Sequence, residues 1–243
     1  MSSATRVTSW RVAEVREAIR ETPSATTLVF DVPGWPGHRA GQHVDLRLTA
    51  EDGYQATRSY SIGSAPEDEG VALTIERFED GEVSPYLVDD AQAGDQLEVR
   101  GPIGGWFVWT VEQGGPLFLV AGGSGIVPLM AMLRHRANAG SDAEARLLLS
   151  ARREPHVIYA AELPTLGVET AITYTREAPA GWTGYARRVD RDMLAEAGFA
   201  PEHRPRVFVC GPTGFVEGVA DELVALGHAA SRIRTERFGA TGG

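Results

Sequence analysis

Gly122-Gly123-Ser124-Gly125 stands between an apolar run, Leu117-Phe118-Leu119-Val120, and a segment of helical apolar spacing from Ile126 to Ala139. Glycines at a strand-to-helix turn let backbone N–H groups approach a pyrophosphate, and the positive helix end favours that anion. The chemistry suggested is dinucleotide binding, although a tight turn without a ligand leaves the same pattern. Further along, Cys210-Gly211-Pro212 closes a second apolar run, Val207–Cys210. In an open α/β sheet the carboxyl end of such a strand is where ligands bind. Cys210 is then either a buried small hydrophobe or a group beside that ligand. In the first half, Arg58-Ser59-Tyr60-Ser61 reads as a strand, and its period of two places Arg58 and Tyr60 on one face. That face offers a cation for a phosphate next to an aromatic ring for a planar group. Gly81-Glu82-Val83-Ser84 precedes Pro85 and predicts the start of a short helix to Asp90, with Ser84 as N-cap and Pro85 as its first residue. Its unpaired N–H groups are a second place for an anion.

These groups need two kinds of scaffold. Val44, Leu46 and Leu48 alternate with polar residues, as do Val71, Leu73 and Ile75, and again Leu97 and Val99. Turn chemistry at Pro33-Gly34, Glu51-Asp52-Gly53, Ala65-Pro66 and Gly101-Pro102 separates such runs. Short strands with regular turns predict an antiparallel β-barrel of Greek-key type. Beyond Glu112 the rhythm changes. Strands are predicted at Leu117–Val120, Arg146–Ser150, Ala171–Tyr174, Val207–Cys210 and Ile233–Glu236. Helices are predicted at Ile126–Ala139, His156–Leu163, Arg191–Ala197 and Gly214–Leu226. Strand–helix alternation predicts a doubly wound parallel sheet. The expected division is residues 1–111 for the barrel and 112–243 for the α/β domain, hinged at Glu112-Gln113-Gly114-Gly115-Pro116.

Composition narrows the function. The 243 residues are 43% hydrophobic and 23% charged, the balance of a globular protein. No apolar run reaches the roughly 20 residues of a membrane span. Met1-Ser2-Ser3-Ala4-Thr5-Arg6 is followed by no signal-like apolar stretch, so the cytoplasm is the expected compartment. A net charge of −10 speaks against nucleic acid. Every one of the 23 basic residues is arginine. Through Val111 there are 9 Arg against 18 acids, and from Glu112 there are 14 against 15. Arginines able to hold an anionic ligand are therefore concentrated in the second half. With one cysteine, Cys210, the chain has neither an intrachain disulfide nor the Cys₄ set of an iron–sulfur or structural zinc centre. No metal site is expected.

The five motifs Arg58–Ser61, Gly81–Ser84, Gly101-Pro102-Ile103-Gly104, Gly122–Pro128 and Cys210–Pro212, in that order, resemble the ferredoxin–NADP⁺ reductase superfamily from about Arg11 to Phe238. The pattern is similar to that of bacterial members without a fused ferredoxin domain. The resemblance implies a flavin-binding barrel followed by a nicotinamide-nucleotide domain. It implies that Arg58 pairs with flavin phosphate, Ser59 and Tyr60 lie along the flavin, and Ser61 sits near flavin N5. The strand backbone at Thr74, Ile75 and Glu76 would lie along the flavin, and Gly81, Val83 and Ser84 would hold its pyrophosphate. That pyrophosphate favours FAD over FMN. Gly122, Gly123, Ser124, Gly125 and Pro128 would hold the nicotinamide nucleotide. Cys210, Gly211 and Pro212 would lie near nicotinamide C4. Glu236 and Phe238 resemble the acidic–aromatic end of relatives, where an aromatic ring shields the flavin. Here the chain runs on through Gly239-Ala240-Thr241-Gly242-Gly243. Ser61, Cys210 and Glu236 are the expected catalytic residues.

An NAD-preferring fold ends its second strand with a carboxylate for the ribose. This chain has Ser150-Ala151-Arg152-Arg153 there, then Arg176, and Tyr185 followed by Arg187-Arg188. Arg152, Arg176 and Arg188, with Ser150 and Tyr185, resemble the 2′-phosphate site of NADP(H)-dependent members. The expected activity is hydride transfer from NADPH to FAD and onward electron transfer to a separate redox protein, a ferredoxin or an oxygenase component. Reduction of small acceptors (free flavin, quinone or ferric chelates) and a non-catalytic flavin- or nucleotide-binding sensor are the other readings. His43 reads first as a structural histidine, although the resemblance places Gly41-Gln42-His43 near the flavin phosphates and keeps it a candidate. Trp106, Phe107 and Trp109 read as packing between the domains, with a flavin contact as the alternative.

Overall fold

The computed structural model describes residues 9–49 and 52–238. Its first half is a six-stranded antiparallel sheet of β1 (Trp10–Thr22), β2 (Ala25–Asp31), β3 (His43–Thr49), β4 (Gln55–Ser61), β5 (Val71–Glu76) and β6 (Gln96–Ile103). The order is β4-β3-β6-β1-β2-β5. All six strands contribute to one core, with Val15, Phe30, Leu46, Ala56, Leu73 and Val99 among its members, so the sheet curls around it. Its two edge strands, β4 and β5, are brought together by a bridge between Ile62 and Leu73. The short helix α1 (Ser84–Asp89) adds Leu87 and Val88 to the same core.

The second half is a five-stranded parallel sheet. It contains β7 (Leu117–Gly122), β8 (Ala145–Arg153), β9 (Glu169–Glu177), β10 (Arg206–Pro212) and β11 (Ile233–Phe238), in the order β11-β10-β7-β8-β9. Every residue of β7 is buried, which explains why its sequence is a continuous apolar run. Helix α2 (Ile126–Asn138) covers one face, with Leu119 and Leu129 in that layer. Helices α3 (Arg191–Ala197) and α4 (Thr213–Ala225) cover the other, with Phe118 and Val120 beneath them. Strand order reverses between β7 and β10, so the Gly-rich turn and the Cys210–Pro212 turn lie side by side at the carboxyl edge.

The structure adds two strands to the sequence expectations and corrects three of them. Strands β1 and β2 gave no clean alternation, because β1 exposes most of its side chains and is held instead by ladders to β2 and β6. The segment His156–Leu163 is not a helix. It is two short 3₁₀ turns, Glu154–His156 and Leu163–Thr165, separated by Tyr159 in a left-handed conformation with φ of 61°. Ser84 is not the N-cap of α1: Val83 holds that place without a side-chain bond, and Ser84 Oγ accepts the Phe78 N–H at 3.0 Å. Of the three aromatics expected between the domains, Phe107 and Trp109 are in the core of the parallel domain, whereas Trp106 is exposed.

The two sheets are joined through α2. Arg134 donates from Nε and Nη2 to Glu162 at 2.8 and 2.5 Å, and from Nη1 to the Gly63 carbonyl of the antiparallel domain at 2.6 Å. Its guanidinium lies 4.7 Å over the Tyr159 ring, whose hydroxyl bonds Thr74 of β5. Burial pushes that hydroxyl's pKa up to about 12. His135 and Asn138 on the same helix reach Glu67 at 2.7 Å and Asp68 at 3.0 Å. A buried guanidinium is costly unless paired, and Arg134 is paired on three sides. Arg134→Met should lower unfolding stability by about 2 kcal/mol, and Tyr159→Phe by about 1 kcal/mol. Urea denaturation measures both, and an unmoved midpoint for Arg134→Met would show that the seam is held by apolar packing alone.

Candidate functional site

The site grows from the two sheet edges that meet at this seam. On β4, Ala56 is buried and Arg58 and Tyr60 follow on the same face. Tyr60 packs against the antiparallel core, and burial pushes its hydroxyl up to about 12, so it is an uncharged ring. Arg58 extends outward and pairs with Glu82 at 2.9 Å. Ser59 points to the opposite face, where its hydroxyl donates to Asp45 at 2.6 Å beside Arg100. Of the Arg58–Ser61 motif, then, Arg58, Tyr60 and Ser61 remain available to a ligand. Across from β4, Thr74 bonds Thr27 and Tyr159, and Ile75 is core, so β5 can offer a ligand its backbone there but not these two side chains. Glu76 ends β5 next to the Gly-rich turn of the other domain.

In that turn two glycines have separable reasons. Gly123 adopts φ of +56°, which side chains rarely tolerate, and the space over it opens toward Glu76. Gly125 has ordinary helical angles, but an added Cβ would collide with the Cys210 carbonyl of the neighbouring strand. Gly122 and Gly211 both lie against the ring of Phe215 on α4. Together these contacts bring the two turns to one place. A cavity of about 520 Å³ opens there, lined from one domain by Glu76 and Phe78 and from the other by Gly122, Gly123, Ser150, Arg152, Thr175 and Pro212. It has the size and the mixed domain origin of a cofactor cleft. Arg176, Tyr185 and Arg188 lie outside its lining. Tyr185 is committed to Glu196 at 2.7 Å and stacks under Arg187, while Arg176 and Arg188 are exposed. Pro128 is buried within α2 and Ser124 is half-buried in the turn. His156, Thr175 and Phe215 were not foreseen. Nothing in their local sequence marks them, because the cleft gathers them from a 3₁₀ turn, strand β9 and the start of α4.

At the inner end of the seam, Ser61 pairs in register with His43 on β3, and Cys210 pairs with Glu236 on β11. His43 Nδ1 lies 3.7 Å from Glu236 Oε1, joining the two pairs across the domains. Cys210 is fully buried, and burial followed by the nearby Glu236 raises its thiol well above the ordinary range, so it is no thiolate. Burial also lowers the His43 pKa, against the pull of Asp45. Glu236 Oε2 is buried with no hydrogen-bond partner, and burial pushes the carboxyl up to about 7. A carboxyl at that value can hold or release a proton near neutrality. Phe238 lies half-buried beside Pro212, with which it pairs in register. Residues 239–243, which follow it, lie outside the described residues.

The raised carboxyl has a consequence for stability. An unfolded Glu ionises near 4.5, while folded Glu236 keeps its proton to about 7. Between those values the folded state binds more protons, so stability falls as pH rises through that window and levels off above it. With a side chain 25% exposed, the loss is at most on the order of 3 kcal/mol. Glu236→Gln should flatten that segment of the stability–pH curve, as read by denaturant unfolding from pH 4.5 to 8. A curve of unchanged slope would show that Glu236 ionises normally.

Comparison with known proteins agrees with this layout. Residues 13–108 match the oxidoreductase FAD-binding domain family and residues 119–221 the oxidoreductase NAD-binding domain family. The glycine betaine monooxygenase reductase subunit of Chromohalobacter salexigens is 31% identical over 236 residues, covering 93% of this chain and 63% of that protein. The chain thus spans less than two thirds of that relative's length. The NADH oxidoreductase HCR of Escherichia coli is 31% identical, covering 98% of this chain and 70% of that protein. The FAD/NAD-binding domain of nitric oxide dioxygenase from Vibrio cholerae superposes with a TM-score of 0.84 at 26% identity, covering 94% and 98% of the two chains. Among the described residues no helix is long and apolar enough to cross a membrane. With an FAD-binding domain, an NAD-binding domain and the seam between them in the expected order, the chain belongs to the ferredoxin–NADP⁺ reductase superfamily.

Proposed function

We propose that the chain is an NADPH-dependent FAD reductase that hands electrons to a separate redox protein. The observation that carries the reading is the convergence at the seam. The Arg58–Ser61 edge of one domain and the Gly122–Gly125 and Cys210–Pro212 turns of the other lead to one place, where Ser61 and His43 face Cys210 and Glu236. The residues present fit FAD: a solvent-exposed cation in an exchangeable pair with Glu82, an uncharged half-buried ring and a hydroxyl follow one another along the strand edge. When bound, FAD supplies the ring that accepts the hydride of NADPH, two electrons with one proton, and releases electrons to an acceptor.

The protein's part is binding, orientation and proton handling. Arg58, with the Gly81–Ser84 turn beside it, neutralises flavin phosphate, exchanging Glu82 for it. Tyr60 presents its ring to the isoalloxazine. Gly122 and Gly123 leave room for the nucleotide backbone, and Pro212 and Phe238 border the nicotinamide end. Glu236, protonated below about pH 7, holds a proton at the inner end of the seam, in register with Cys210 and outside the lining of the cavity. Ser150, Arg152 and Thr175 line the cavity, where Arg152 can hold a 2′-phosphate. Arg176 and Arg188 act only on a nucleotide that extends past the cavity. An oxygenase component as acceptor is supported by the relatives named as monooxygenase reductase subunits.

Anaerobic addition of NADPH to the flavin-loaded protein should bleach the flavin absorbance, and an unchanged spectrum would refute the reading. Arg152→Ala should weaken NADPH about tenfold to a hundredfold while barely touching NADH. Equal losses for both nucleotides would move the specificity elsewhere. Turnover with a ferredoxin or an oxygenase component should exceed turnover with free flavin or ferricyanide; the reverse order would favour a reductase of small acceptors.

A further inference from the structure

Trp106 is 63% exposed, more than any other large apolar side chain among the described residues. Its indole is a large apolar surface that neither core uses. The surroundings of this ring are built rather than loose. Buried Gln42 accepts the Arg39 N–H at 2.8 Å through Oε1 and donates from Nε2 to the Gly104 carbonyl at 2.6 Å. The Trp109 N–H donates to the Ala40 carbonyl at 3.1 Å, and the Gly41 backbone is pressed against the Phe107 carbonyl. Residues 39–42 and 104–109 are thereby held as one surface. From the other domain, Arg234 of β11 donates from Nη1 to the Trp106 and Val108 carbonyls at 2.9 and 2.7 Å. Its guanidinium lies 5.3 Å from the centre of the Trp106 ring.

Charge and place both say what this surface meets. Arg39 is exposed, with its guanidinium beside Gly105. Among the described residues neither Arg39 nor Arg234 pairs with a carboxylate. The first half of the chain has 9 Arg against 18 acids, so an acidic protein is repelled by it on average. Two unpaired guanidiniums beside an exposed ring then decide where such a protein lands. As to place, Arg234 and Glu236 are two residues apart on one face of β11. Gly104 lies against the His43 ring. The surface therefore borders the end of the seam where His43 and Glu236 meet. None of Arg39, Trp106 and Arg234 lines the cavity that holds Gly122, Gly123 and Arg152, so an occupant here does not obstruct that entrance.

We infer that Arg39, Trp106 and Arg234 form the docking surface for the electron-accepting protein, which meets them with an acidic face: carboxylates toward the two guanidiniums and an apolar spot on the indole. The inference rests on the reductase reading and deepens it, since it names where electrons leave the molecule and what charge the acceptor carries. Tryptophan and arginine are the residues that most often anchor an interface. Electron-transfer contacts are small, so one exposed ring is a large share of such a contact. Exposed Gly104 and Gly105 put no side chain between the acceptor and the seam.

The flavin-loaded, full-length protein is turned over with NADPH against three acceptors: an acidic two-iron ferredoxin, basic cytochrome c and a neutral benzoquinone. Wild type should show a lower KM for the ferredoxin than for the cytochrome, and that KM should rise with added salt. Trp106→Ala and Arg39→Glu should each raise the ferredoxin KM roughly tenfold, with kcat and benzoquinone turnover unchanged. Arg39→Lys keeps the charge and should keep most of the affinity. An unchanged ferredoxin KM in both variants overturns the surface. So does an equal loss with benzoquinone, which would place the defect at the flavin. A wild type that prefers the cytochrome, or leaves the ferredoxin oxidised, overturns the acidic partner. The reductase reading fails separately, through a wild-type flavin that NADPH does not bleach.

Discussion

The placement of Arg134 is the constraint from which the rest of the molecule follows. Its guanidinium donates to the Gly63 carbonyl in one domain and to Glu162 in the other, over the face of Tyr159. Two domains joined by a short linker move relative to one another by default unless their interface resists it. Here the resistance is directional: hydrogen bonds from α2 to residues 63–68 set an angle that apolar packing alone would leave adjustable. The seam chemistry depends on that angle. His43 and Glu236 lie 3.7 Å apart from strands of different sheets, and a small rotation would separate them.

A fixed seam also explains the electrostatics within it. Water is kept from Cys210 and largely from Glu236, so the thiol stays protonated and the carboxyl ionises only near neutrality. Burial leads both shifts: it alone raises Glu236, while for Cys210 the nearby Glu236 adds to it. The thiol is thereby no nucleophile, and what Cys210 contributes at the cleft is shape. Its carbonyl meets Gly125 so closely that only glycine fits, and this draws the two turns together at the reversal of strand order. Glu236 is different, because its buried Oε2 has no hydrogen-bond partner. Polar atoms in that state are uncommon and cost stability, which makes them markers of function.

The anion-binding parts are arranged more loosely. Arg58 and Glu82 are both about half exposed, so their pair is weak and readily exchanged. Arg152 is exposed at the cleft's outer rim. Rigid where the proton sits and yielding where phosphates enter, the molecule divides its labour along the cleft.

Much of this was legible in the residues. Period-two alternation in β3 and β6 and the apolar run of β7 marked strands because burial there follows the chain's own geometry. The order of glycine-rich and arginine motifs identified the family, since turns that approach phosphates tolerate few residue types. The sequence alone thus determined the fold class, the order of the two halves, and Arg58, Tyr60, Gly123 and Arg152 as candidates. It did not reveal β1, whose side chains are mostly exposed, or that Tyr159 sits left-handed where a helix was expected. Nor did it show that His43 comes within 3.7 Å of Glu236, or that Arg152 lines the cavity while Arg176 and Arg188 lie outside its lining. Only the tertiary structure decided those matters. Ladder pairing between distant strands, the close approach of β10 to the Gly-rich turn, and desolvation at the seam depend on contacts far apart in the chain. Such contacts leave no periodic trace in the segments that make them.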